Sequence, residues 1–245
     1  MSVAGAVVLA VVALAVIPRP PRPVAIEEPP APPRMGLEDL YATFAAPGRG
    51  HSFEVPVSIS VEDASPVVLP SGKLVATDGF LLDGSAFTFD VPPGRHPVSI
   101  LRVDFDDRDK RVAAALVRFA DHAPTSWELA LVPGQDPAIL GPDEIFGYGV
   151  DSGTGSFTSP EAVAAIKAEA DYDAYADEMM SAMPASAEAY ELSGQVVVDP
   201  ETGANVVAFG SGFGDGSYAS YVGRDGDGVV VAVLTDFGVL DAPKD

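Results

Sequence analysis

Residues 217–235 read SYASYVGRDGDGVVVAVLT, and this stretch decides the fold. Ser217 to Val222 and the apolar run Val229 to Thr235 flank Asp225-Gly226-Asp227-Gly228. Asp-Gly pairs supply the positive φ angles of tight hairpins, so the stretch predicts two antiparallel strands. Asx side chains that bond their own backbone give the same turn reading for Asp225 and Asp227. An EF-hand fails here, because Val229, Val230 and Val231 occupy positions that require a ligand, a glycine and a turn.

Upstream of it, Val196 to Asp199, the turn Pro200-Glu201-Thr202-Gly203, and Asn205 to Phe209 predict a second hairpin. One helical segment precedes these strands. Ser159-Pro160-Glu161 supplies an N-cap, a proline at the first helical position and an acid in the first turn. Val163, Ile166 and Ala170 then repeat at helical spacing, with a kink expected near Asp171-Tyr172-Asp173 and an end before Pro184. Eight acids fall in this region against Lys167 alone: Glu161, Glu169, Asp171, Asp173, Asp177, Glu178, Glu188 and Glu191. They read as a solvated face.

The N-terminal half is punctuated as short strands. Val55 to Val61 alternates, with Pro56 arguing for an edge position. Lys73 to Thr77, Ala86 to Val91, His96 to Asp104, Arg111 to Ala120 and Trp127 to Val132 follow as further strands. Asp106-Asp107-Arg108-Asp109-Lys110 reads as a hairpin tip. The fold class is α+β, mainly β: antiparallel sheets or a meander with one inserted helical segment, as a single domain over residues 35–245.

Several segments taken together resemble a bacterial family known as domain of unknown function 4241. They are Ser71 to Asp78, Pro93-Gly94-Arg95-His96-Pro97-Val98, Arg111 to Ala115, Trp127 to Ala130, Tyr148 to Gly155, Ser211 to Tyr218 and Thr235-Asp236-Phe237. Coverage runs from about Leu37 to Val239. In the family pattern a Trp commonly stands where Phe213 is, and a Cys often follows the glycine matching Gly155, where Ser156 stands here. Neither a thiol nor an indole at those positions is then essential in this member. The resemblance implies a shared fold and a bacterial origin, and no activity.

The formal net charge is −22, with no cysteine among the 245 residues. Disulfides, thiolate metal sites and cysteine nucleophiles are excluded. The charge repels nucleic acid and anionic lipid, and suits basic proteins or divalent cations. Residues 1–17 contain the apolar run Val3 to Ile17, shorter than the ~20 residues of a spanning helix. No Lys or Arg precedes it, and Arg19 and Arg22 follow, which inverts the signal-peptide order. Residues 18–34 form a Pro-rich extended linker. The apolar run reads as a leader with no structural role, a weak anchor or an atypical signal. A cytoplasmic domain is preferred, with membrane anchoring or secretion through residues 3–17 as the alternative.

The candidate site residues are Asp151, Asp215, Tyr218 and Asp236. Asp151 and Asp215 lie in glycine-rich turns, and Asp236 ends an apolar strand, where an acid must be partnered. Carboxylates on rigid turns suit hard cations, so Asp151, Asp215 and Asp236 form a candidate divalent-metal set, structural or hydrolytic. A phosphate loop fails, because Gly149 to Gly155 is followed by no Lys. His51, His96 and His122 show no ligand spacing. The first functional expectation is therefore a non-enzymatic acidic binding domain with a basic protein partner and no cofactor. The alternative is the divalent-cation domain.

Overall fold

The computed structural model describes residues 33–106, 109–142, 144–168, 172–183 and 192–243. The expected leader, the linker up to residue 32, Asp107, Arg108, Glu169, Ala170, Asp171, Pro184, Glu188 and Glu191 lie outside them. Pro32–Asp245 forms one compact unit.

In chain order the first elements are α1 (Leu37–Thr43), β1 (Arg49–Ser52), β2 (Val55–Leu69), β3 (Val75–Asp78) and β4 (Gly94–Asp104). Next come β5 (Lys110–Arg118), β6 (Ser126–Leu129), β7 (Tyr148–Val150), β8 (Thr154–Thr158), α2 (Pro160–Ala168) and α3 (Tyr172–Ala182). The chain ends with β9 (Ser193–Val197), β10 (Asn205–Gly210), β11 (Gly216–Tyr218), β12 (Ser220–Arg224) and β13 (Val230–Asp236).

A seven-stranded sheet runs β1-β2-β4-β5-β13-β12-β6, a four-stranded sheet runs β3-β8-β10-β9, and β11 pairs with β7. The pairings are antiparallel. The protein is thus mainly β with inserted helices, as the sequence predicts.

Side-chain alternation on β10 sets the layers, since successive residues of a strand face opposite sides. Val207 and Phe209 join Leu69, Ile100, Leu116 and Leu234 of the large sheet in the main core. Val206 and Ala208 face the other way, against Val163 and Ile166 of α2 and Tyr175 and Met179 of α3. The order is large sheet, small sheet, helices. Ala113 to Val117 and Val230 to Thr235 are buried at every position. That explains their unbroken apolar runs, because strands covered on both faces cannot alternate.

Four local expectations change. Pro56 does not mark an edge: β2 lies between β1 and β4, and Pro56, the second residue of β2, pairs with His51 at the hairpin end. A missing N–H is tolerated near a strand start. Residues 86–91 make no strand, since Phe87 and Val91 donate to Leu74 and Gly72 of one segment while Thr88 donates to Leu131 of another, so no continuous ladder forms. The kinked helix is two helices, α2 and α3, with α2 capped by Ser159 Oγ accepting from Ala162 N at 3.2 Å. β12 and β13 form the hairpin expected around Asp225 to Gly228, with Asp225 Oδ1 accepting from Asp227 N and Val229 N. Ser217 and Tyr218, expected in its first strand, belong instead to β11 and pair with β7.

Candidate functional site

The small sheet ends at β3 on Asp78, which is fully buried. Its Oδ1 accepts from Phe80 N at 2.7 Å, Leu81 N at 3.0 Å and Ser152 Oγ at 2.8 Å. Its Oδ2 accepts from Asp151 N and Ser152 N, each at 2.9 Å. Burial is the largest single influence and pushes the Asp78 pKa up. The backbone N–H donors of Leu81, Phe80 and Asp151, with the Ser152 hydroxyl, outweigh it and hold the carboxyl below its ordinary value. Asp78 is therefore an ionised clasp between the 78–84 loop and the 151–153 loop.

That clasp organises the residues the sequence singles out. β7 pairs with β11, with Gly149 opposite Ser217 and Val150 opposite Gly216. The pairing brings the two glycine-rich loops together, and Gly153 N donates to Asp215 Oδ1 at 3.1 Å. Asp151 and Asp215 are both exposed. The Tyr218 hydroxyl reaches the carbonyls of Gly214 at 2.8 Å and Ser211 at 3.0 Å, which rigidifies the second loop. Asp236 Oδ1 accepts from Gly238 N at 2.8 Å. Burial raises the Asp236 pKa, with the Gly238 bond and the Arg34 charge offsetting part of the effect. So the structure joins the Asp151 and Asp215 loops, while Asp236 caps its own turn. Among the described residues, no group of three His, Asp or Glu side chains is placed to hold a metal ion.

His96 is structural in its surroundings. Its Nε2 lies 2.7 Å from the Pro92 carbonyl and its ring meets Phe119 edge-on at 4.9 Å. Burial lowers its pKa.

A cavity of about 210 Å³, which has no signature in the sequence, lies beside this corner, where the loop after β3 faces the segment after β6 and the start of β12. Phe87, Phe146 and Tyr148 contribute rings to its lining, and Asp83, Ser85 and Gln135 contribute polar groups. Asp83 is the one charged side chain in that lining. Buried Thr77 holds it, donating from Oγ1 to Asp83 Oδ1 at 3.2 Å while accepting from Gly84 N at 3.0 Å.

The loop bearing Asp83 is pinned on all sides. Tyr175 donates to Gly79 O, and Tyr172 donates to Phe80 O at 3.0 Å. Gly79 N donates to Thr154 O at 2.8 Å. Leu82, just before Asp83, is buried with φ of 50°, a conformation that costs a non-glycine residue of order 1–3 kcal/mol. Gly84 is needed for contact: a Cβ there would lie 2.7 Å from Thr77 Cβ.

Tyr148 lines the cavity, and its buried hydroxyl lies on the side of Thr235. Burial pushes its pKa up, and the Thr235 hydroxyl opposes this in part. That hydroxyl is itself paired with Ser220 Oγ at 2.7 Å. Gly155 makes room, since a Cβ there would stand 2.7 Å from the Tyr148 hydroxyl.

Residues 67–235, more than half of the chain, match the family described as Protein of unknown function (DUF4241). The chain belongs to the DUF4241 family. The span that places it there contains Asp78, Asp83, Tyr148, Asp151, Asp215 and Tyr218, so both the clasp and the cavity lie within the DUF4241 region. No curated protein and no solved structure matches the chain.

Proposed function

We propose that this DUF4241 protein is a non-enzymatic acidic binding domain that recognises a basic partner, and that the cavity beside Asp83 receives one of the partner's cationic groups. The observation that carries the reading is the anchoring of a single carboxylate at a concave site. Thr77 fixes Asp83, and the strained, pinned loop behind it removes the freedom that a partner would otherwise have to freeze out. The formal charge of −22 adds long-range attraction for a basic protein.

Binding is favoured over catalysis by how the titratable groups are committed. Asp78 is saturated by five donors and held ionised below its ordinary pKa, which makes it a weak general base. The Tyr148 and Tyr175 phenols are pushed up, away from phenolate. The preferred setting is the cytoplasm of a bacterium, because positive charge follows the apolar run at Arg19 and Arg22. Among the described residues no helix is long and apolar enough to cross a membrane.

Calorimetry with a lysine-rich peptide at low ionic strength tests the proposal. The expected outcome is salt-sensitive binding that Asp83→Asn weakens about tenfold, as loss of a charge partner implies. Absence of binding at low salt, or binding indifferent to Asp83→Asn, overturns it.

A further inference from the structure

Three aromatic rings and one carboxylate line the same cavity, and this combination selects among cations. Phe146, Tyr148 and the buried Phe87, whose ring is stacked on Phe89, line it, the exposed Asp83 presents the charge, and no Lys, Arg or His belongs to the lining. A primary ammonium carries a tight hydration shell and needs three acceptors, of which this lining offers one carboxylate beside the neutral groups of Ser85 and Gln135. An alkylated ammonium spreads its charge over methyl groups, sheds water more readily, and is attracted by ring faces. Size agrees as well. The cavity, at about 210 Å³, exceeds the ~150 Å³ of an apolar cavity that takes up benzene, so a trimethylammonium head with a short stem has room.

We infer that the cavity is a site for a methylated or quaternary ammonium group, its positive charge facing Asp83 and its methyl groups against the rings of Phe87, Phe146 and Tyr148. The inference rests on the binding-domain reading above and names the chemistry its pocket prefers. The group arrives either on a free small molecule such as choline or on a methylated lysine of a basic protein; the cationic head is common to both.

The test is a calorimetric and NMR titration of the full chain with choline and with 3,3-dimethylbutanol, its neutral isostere, in which carbon replaces the charged nitrogen. A peptide containing trimethyl-lysine and the same peptide with unmodified lysine form the second pair. Choline or the trimethyl-lysine peptide should bind at least about tenfold more tightly than its control, since a desolvated cation on aromatic faces loses that attraction when its charge is removed or hydrated. Choline binding assigns a free small molecule, and peptide binding alone assigns a methylated protein.

Asp83→Asn and Phe146→Leu should each weaken the binding about tenfold. Phe146 lies at the half-exposed rim, so a melting curve matching wild type verifies that the variant is folded. Equal affinity for choline and its isostere overturns the inference in favour of a merely apolar cavity. Binding of unmodified lysine peptide through Asp83, with no preference for methylation, overturns the inference and leaves the binding-domain reading standing. Absence of binding to all four probes overturns both.

Discussion

Replacing Asp78 by Asn separates charge from shape at the clasp. The amide keeps one oxygen, which can serve the three donors now on Oδ1. Its NH2 then faces Asp151 N and Ser152 N, both of which donate to Oδ2 at 2.9 Å. Each unsatisfied donor costs about 1–3 kcal/mol. Asp151 and Ser152 lie on an exposed loop where water recovers part of this, so the loss should be about 3 kcal/mol. At roughly 2–4 °C per kcal/mol for a chain of this size, Tm falls by about 6–12 °C at neutral pH.

The pH dependence carries a second signature. The Asp78 pKa is lower in the folded chain than its ordinary 3.8. Its stabilisation is therefore fully present above the unfolded value and lost as pH falls through the folded one. The gap between wild type and Asp78→Asn should close progressively below pH 3.8. Thermal melts by circular dichroism between neutral pH and about pH 2 read both effects. A variant that melts with wild type at neutral pH, or a gap that stays constant into acid, refutes the reasoning.

Other substitutions follow from the same physics. Asp236 has a raised pKa, so its ionisation disfavours the fold; Asp236→Asn, whose oxygen can still accept from Gly238 N, should raise Tm increasingly as pH climbs above 3.8, and no gain at neutral pH would count against it. The β1–β2 hairpin turns at Phe53 and Glu54 with φ of 47° and 66°, so Glu54→Gly should stabilise the chain by about 1 kcal/mol in urea melts. Gly84→Ala places a Cβ 2.7 Å from Thr77 Cβ and 2.9 Å from the Ala76 carbonyl; it should destabilise by about 1–3 kcal/mol and reduce ligand affinity in calorimetry by displacing Asp83.

Much of the fold is legible in the sequence because turn chemistry is local. Asp225 to Gly228 forms the expected hairpin, and Ser159-Pro160 starts a helix where an N-cap and proline belong. The errors lie where tertiary pairing decides. Pro56 looks like an edge residue until the four-residue β1 is seen to be its neighbour. Residues 86–91 have strand composition but divide their N–H groups between two different segments.

The site was legible by half. Asp151 and Asp215, sixty-four positions apart, do share a corner, yet Asp151 contributes its backbone N–H and not its carboxylate. The rule that an acid closing a buried strand must be partnered singles out Asp236 in the sequence and holds equally for Asp78, the last residue of β3. Asp83 and Phe87 lie on one segment and Phe146 and Tyr148 on another, and only tertiary packing makes a cavity of them.

The central claim is that a cationic group enters the cavity beside Asp83. Chemical-shift mapping with a lysine-rich peptide, in its unmodified and trimethylated forms, tests this most directly. The account predicts saturable shifts centred on Asp83, Gly84, Phe146 and Tyr148 that Asp83→Asn suppresses. Shifts spread over the exposed acids of α3, with the cavity residues unmoved, would contradict it.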